Sequence, residues 1–183
     1  KGDAYKDGQG TGCDDDCGLT SVKVIRVLNR ELKLSGACPH LVIGAAFNQN
    51  NDCEKEWRKA ILKKRAGARF FMSQPVFSRA QLRDLAARFN SLGTLMVGLF
   101  PLPYQKVFRL VQSGGIPGVV LPPEMIGRAE SGDDELEKWT LDLNLDLLQT
   151  ARRLWSGNTG IRGVYIVAPR GRPRIVVKLL QEY

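Results

Sequence analysis

Four short apolar runs, each followed by a segment of helical period, constrain this chain more than any other feature. Residues 41–47 (LVIGAAF) are continuously apolar, as in a strand buried on both faces. Residues 69–74 (RFFMSQ) close at Pro75, residues 95–100 (LMVGLF) close at Pro101, and residues 164–167 (VYIV) run into a loop over 168–173. The intervening segments read as helices. One spans about 19–34, with Val24, Leu28 and Leu32 as its stripe, stopped by Gly36 and Pro39. A second is capped by Asp52 and Gly67, with Trp57 and Ile61 on one face. A third is capped by Ser78, carried by Leu82, Leu85, Ala86 and Phe89, and ended by Gly93. Further helices fall over 103–113, from Pro122 to about Arg128, and over 133–155 with Leu136, Trp139, Leu143 and Leu147 inward. A last helix carries Ile175, Val176, Leu179 and Leu180.

Strand–helix alternation argues an α/β fold with a parallel sheet. No strand leads into a G-x-G-x-x-G turn, so a dinucleotide fingerprint is absent. A closed barrel of eight such units needs about 250 residues. The 183 residues here supply four strands, preceded by one helix. The expected architecture is therefore a partial (β/α)8 TIM barrel, roughly strands 5 to 8 with their helices, forming one domain over 1–183. Residues 1–17, rich in Gly and Asp, read as a flexible loop. Half a barrel leaves two open sheet edges and an uncovered face, so a weakly stable or self-associating chain is expected.

The composition, 43% hydrophobic and 25% charged, is that of a globular protein with enough apolar material for a core. No apolar run approaches a membrane span, and the start at Lys1 has neither a secretory signal nor an initiator methionine. The reading is of a cytoplasmic protein, met as a fragment or a trimmed chain. The net charge of +8 is spread over helices, with some concentration from Arg152 to Lys178. It marks either a solvated basic surface or attraction for anionic small molecules. No helix-turn-helix, RNP-type strand or zinc finger points to nucleic acid. Cys13 and Cys17 have no second pair, and His40 is the only histidine, so no metal site is expected.

In a parallel barrel the chemistry sits at the C-terminal strand ends. Those ends offer Phe47 and Asn48, Ser73 and Gln74, Phe100 with 102–108, and 169–172; Asp3 would end a preceding strand. The set has amides, aromatics, arginines and one carboxylate. It has no paired nucleophile and base and no carboxylate pair, which disfavours hydrolysis and suits a flat polar ligand.

Several stretches in this order resemble the methylenetetrahydrofolate reductase family. Gly2-Asp3 resembles the end of the family's fourth strand, and IGAAF at 43–47 its fifth. LKKRAGARFFMSQPVF at 62–77 is similar to the family's KK-x-x-AGA-x-F-x-x-TQPVF. GLFPL at 98–102, IPGVVLPPE at 116–124 and GVYIVAPRGR at 163–172 resemble strand seven, the PG-x-x-x-P loop and the last strand. The last of these is closest to the form fused with a homocysteine S-methyltransferase.

The resemblance implies FAD-dependent reduction of 5,10-methylenetetrahydrofolate to 5-methyltetrahydrofolate, in one-carbon and methionine metabolism. NADH or NADPH would be the electron donor. It implies that Asp3 lies by the flavin and tunes its charge, a carboxylate there disfavouring an anionic reduced flavin. It implies that Gln74 hydrogen-bonds the pterin, since an amide both donates and accepts. Phe108 would stack on substrate, and Arg172 would pair with a glutamate tail. Phe47, Glu56, Lys59, Lys63 and Tyr165 would contact FAD, the three charges sharing one face of their helix. The bland alternatives are a turn aspartate for Asp3, a backbone-bonding amide for Gln74 and a solvated face for Glu56, Lys59 and Lys63. For Arg172 and Tyr165 they are a surface arginine and core packing.

The chain also departs from the family. Phe47 replaces a frequent tyrosine, and the loop after it lacks the family's proline and histidine. Residues 103–108 align poorly, so either Phe108 stands one register off or Arg109 takes its place. The glutamate that protonates the folate belongs to an early strand outside this sequence. Catalysis would then need an N-terminal barrel half, with a homocysteine methyltransferase domain or a homo-oligomer as further partners. The alternative is a non-catalytic α/β module that binds a partner chain or an anionic ligand.

Overall fold

Local chemistry sets where the helices begin. The Asp52 carboxylate accepts the Lys55 N–H and the Ser78 hydroxyl accepts that of Gln81, each satisfying a donor that the first turn leaves open. Thr20 does the same for Lys23. The computed structural model describes residues 20–36, 40–157, 159–168 and 173–183. In chain order these form α1 (Ser21–Ser35), β1 (Gly44–Phe47), α2 (Cys53–Ala66), β2 (Phe70–Pro75), α3 (Arg79–Leu92) and β3 (Thr94–Leu99). Then come α4 (Gln105–Gln112), a 3-10 segment (Pro123–Glu130), α5 (Asp133–Ser156), β4 (Ile161–Ile166) and α6 (Arg174–Glu182).

The four strands pair in parallel, in the order β1-β2-β3-β4. Parallel neighbours require crossovers, and the helices between the strands supply them. One face of the sheet is covered by helices. There Phe71, Leu95, Val97 and Leu99 meet Leu82, Leu85, Phe89 and Leu147 in the main core. Phe89 is its hub, with ring centroids 4.9 Å from Phe47, 5.7 Å from Trp57 and 5.6 Å from Phe71. Edge-on contacts of this kind suit the aromatic quadrupole. A second core gathers Phe77, Phe100, Leu102, Phe108 and Leu136 around α4.

On the other face, large side chains nest on glycines of the neighbouring strand. Phe70 lies over Gly44, Met96 over Gly163 and Tyr165 over Gly98; a Cβ on each glycine would fall within 2.3, 2.7 and 2.7 Å of them.

Three expectations change. The 41–47 run is not buried on both faces: pairing starts at Gly44, and Leu41 and Val42 are 59% and 61% exposed. Along β1 only Ala45 and Phe47 are buried, the period-2 signature of a strand covered on one side. In α1 the buried residue is Ile25, while Val24 and Leu28 are exposed. The inward face runs through Val22, Ile25, Asn29 and Leu32, so of the expected stripe only Leu32 turns inward. In β4 pairing begins at Ile161 rather than at residue 164, because Gly163 sits in the ladder to receive Met96. In α5, Leu136 and Leu147 are buried, with Trp139 and Leu143 packed at the side of the second core.

Candidate functional site

The C-terminal end of β2 is held by side chains where the strand ladder fails. Pairing of β1 with β2 stops at Phe47 and Ser73, and the β2–β3 register shifts between Met72 and Pro75. The Ser73 hydroxyl fills that irregularity. It accepts the Gly98 N–H at 3.0 Å and donates to the Gln74 carbonyl at 2.8 Å. The Tyr165 hydroxyl donates to the Ser73 carbonyl. From the loop after β1, the Gln49 amide accepts the Gln74 N–H at 2.9 Å through Oε1. Its Nε2 donates back to the Gln74 carbonyl at 2.9 Å and to that of Pro75 at 3.3 Å.

Every backbone polar group of Gln74 is therefore engaged, and its partly buried side-chain amide makes no hydrogen bond to another described residue. Beside it lies Asn48, at the end of β1. The Asn48 side-chain oxygen accepts the Asn50 N–H at 2.9 Å. Asn50 in turn donates through Nδ2 to the Gly118 carbonyl at 2.9 Å, tying the 116–121 loop to the strand ends. Gly118 has φ +78°, and a Cβ there would sit 2.6 Å from Asn48 Nδ2 and 3.3 Å from Gln74 Nε2. Only glycine fits that backbone and that space. The result is a cradle of amides, Asn48 and Gln74 converging on Gly118, that offers both donors and acceptors.

The other expected site residues are placed differently. Phe47 is 3% exposed and its ring is packed against Trp57 and Phe89 on the helix side of the sheet, so it does not face a flavin. Strand alternation is the reason: Phe47 shares its side with buried Ala45. Phe108 is fully buried in the second core and offers no stacking face, whereas its neighbour Arg109 is exposed. Glu56, Lys59 and Lys63 share one side of α2, but their charges are turned on each other. Glu56 and Lys63 are buried, 3.6 Å apart, and Lys63 donates to the Ala46 carbonyl at 2.7 Å. Lys59, mostly exposed, approaches Glu56 at 3.9 Å. Tyr165 does border the cradle through Gly98 and Ser73; burial pushes its phenol pKa up. Asp3 and Arg172 lie outside the described residues, as do Cys13, Cys17 and Cys38.

Phe47, Glu56 and Lys63 thus do not fit the part in FAD binding expected of them. Of those assigned to it, Phe47 is in the core and Glu56 and Lys63 neutralise each other, while Lys59 projects into solvent, Tyr165 borders the amide cradle and Asp3 lies outside the described residues. Among the described residues no group of three or more His, Cys, Asp or Glu is placed to hold a metal ion, and no helix is long and apolar enough to cross a membrane. Gln49, Asn50 and Gly118 were not singled out from sequence. For Gln49 and Asn50 the signal was an amide-rich loop, N48-Q-N-N before a capping Asp52, which reads as an ordinary polar turn, and for Gly118 it was the PG-x-x-x-P motif at 116–124, which gives no partner for the glycine.

No protein-family model matches this chain, and no curated protein matches it. A solved structure does: an uncharacterised protein from Clostridium thermocellum that binds two copies of 5-methyl-5,6,7,8-tetrahydrofolic acid. The TM-score is 0.62 at 17% sequence identity, over 90% of this chain. The match spans 59% of that protein. The two share a fold along this length.

Proposed function

We propose that this chain is the folate-binding part of a methylenetetrahydrofolate reductase-like (β/α)8 barrel, with the pterin held at the Gln74 end of β2. The observation that carries the reading is the state of Gln74. Its backbone is clamped from three sides while its side-chain amide is left free at a strand C-terminus. A pterin edge presents donors and acceptors side by side, which an amide can match. Support comes from the ordered motifs around Gln74 and from a fold shared with a protein that binds methyltetrahydrofolate.

The family's activity is reduction of 5,10-methylenetetrahydrofolate by FAD, recharged by NADH or NADPH. Phe47, Glu56 and Lys63 are engaged within the fold and would not reach a flavin. Reduction is proposed only for the chain joined to an N-terminal barrel half. This chain's own contribution is to bind and orient the folate. A second reading, a non-catalytic module, is favoured by one observation: three of the side chains expected to hold the flavin, Phe47, Glu56 and Lys63, are spent within the fold.

The test is titration of the purified chain with 5-methyltetrahydrofolate, followed by calorimetry. Wild type is expected to bind, and Gln74→Ala to weaken binding about tenfold, the equivalent of 1.4 kcal/mol. Absence of binding to wild type at millimolar folate would overturn the folate reading. Added FAD is expected to leave the gel-filtered chain colourless; retained and shifted flavin bands would overturn the judgement that these residues do not fit it.

A further inference from the structure

The Gln49 side chain behaves as a short piece of strand. Beyond Phe47 the backbone of β1 leaves β2, and no ladder partner remains for Gln74. The Gln49 amide takes over both functions of such a partner, accepting the Gln74 N–H and donating to the Gln74 carbonyl, each at 2.9 Å. Its second donor contact, to the Pro75 carbonyl at 3.3 Å, spans the point where the β2–β3 register shifts. An amide is the side chain suited to this, because the exchange needs one donor and one acceptor in the same plane. Asparagine is one methylene shorter. Glutamate supplies two acceptors and no donor, and sets its charge against two carbonyl oxygens.

We infer that Gln49 is a positioning residue for ligand recognition: it fixes the backbone of residue 74 so that the Gln74 amide is presented to the pterin. This rests on the folate reading above. Gln49 does not touch the ligand in this scheme. It removes the freedom that Gln74 would otherwise have at an irregular strand end, so the bound orientation is prepared beforehand.

The informative variant is Gln49→Glu, because its defect is titratable. The ionised carboxylate accepts the Gln74 N–H but repels the two carbonyls. Once protonated it donates and accepts, restoring the amide's pattern, and the adjacent carbonyls favour the protonated form. Folate affinity of Gln49→Glu is expected to fall at least about tenfold at about pH 7.5, and to return toward that of wild type as the pH falls through the variant carboxyl's own titration, followed by NMR. Wild type, measured in parallel, supplies the ligand's own pH dependence. Hydrogen exchange at the Gln74 amide, read without ligand, is expected to be faster in the variant at the higher pH only.

The outcomes separate. Wild type that binds no folate removes the functional reading, and with it the role of Gln49 in binding; the exchange rate then reports only on the clamp. Wild type that binds, with Gln49→Glu equally tight on both sides of that titration, overturns the positioning role while leaving the folate site intact. Weak binding that does not recover once the carboxyl at 49 is protonated means general damage, and also overturns it.

Discussion

Replacing Lys63 by methionine tests whether the charges of α2 are structural. Lys63 and Glu56 are both buried, their charged groups 3.6 Å apart. Removing the ammonium strands the Glu56 carboxylate. Its remaining neighbours are the Asn48 N–H at 3.5 Å, a long contact, and solvent-exposed Lys59 at 3.9 Å. The Ala46 carbonyl also loses its donor at 2.7 Å. Breaking one side of a buried pair costs about 3–5 kcal/mol, and the weakness of these substitutes places Lys63→Met in that range. Glu56→Gln is milder, roughly 1–3 kcal/mol, since Lys63 keeps the Ala46 carbonyl and the new amide can still accept. The double variant Glu56→Met/Lys63→Met regains much of the loss, because the desolvation cost of both charges disappears with the pair. The assay is urea or thermal unfolding followed by tryptophan fluorescence, with Trp57 reporting from the aromatic cluster. For a chain of this size about 4 kcal/mol corresponds to roughly 8–16 °C in Tm. A loss below about 1 kcal/mol in Lys63→Met, or a double variant as unstable as the two singles summed, would refute the argument. The first of those results would return Lys63 to the surface, free for an anionic ligand.

Phe89→Ala removes the hub of the main core and is expected to cost about 3–5 kcal/mol, measured by the same unfolding curves; a loss under about 1 kcal/mol would mean the aromatic cluster is not packed as described. Gly118→Ala strains a left-handed backbone by about 1–2 kcal/mol and pushes on Asn48 and Gln74, so folate affinity should fall while most of the fold survives, as read by calorimetry beside circular dichroism. Asp146 is held below the usual carboxylate range by its hydrogen bond to Arg79, which joins α3 to α5. A depressed carboxylate stabilises above its unfolded pKa and loses that contribution as pH falls through the folded one. Wild type and Asp146→Asn should therefore differ near neutrality and converge in acid; parallel Tm curves across that window would contradict the pairing.

The fold was readable where a signal is local. Asp52 and Ser78 cap helices at the expected positions, and Gly67 and Gly93 end them, since capping is settled within four residues. Faces were harder. A continuous apolar run gives no period, so nothing in residues 41–47 says that Phe47 turns to the helices or that Leu41 and Val42 stay in solvent. Phe108 was given a stacking role by the family resemblance, but its buried surroundings come from the 3-10 segment and α5 further along the chain. The charges of α2 read as a ligand face because their spacing gives their side of the helix and not what lies opposite it. At the candidate site, the motif at 62–77 pointed to Gln74, and the strand end that carries it was readable from Pro75. Its clamp was not, because Gln49 is 25 residues away and Asn50 and Gly118 are 68 apart. Such pairings exist only once strand order is fixed.

The nesting of Phe70 on Gly44, Met96 on Gly163 and Tyr165 on Gly98 has a consequence for how sequences of this kind diverge. Each pair is a bulk divided between two strands, so a side chain at the glycine requires its partner to move or to shrink. An alanine at residue 98 would drive a methyl into the Tyr165 ring, unless residue 165 shrank in the same lineage. Among relatives, glycine at these three positions should track a large residue at its partner, and a larger residue should appear there only with a smaller one opposite. The inheritance of this sheet face is thus expected to run in couples.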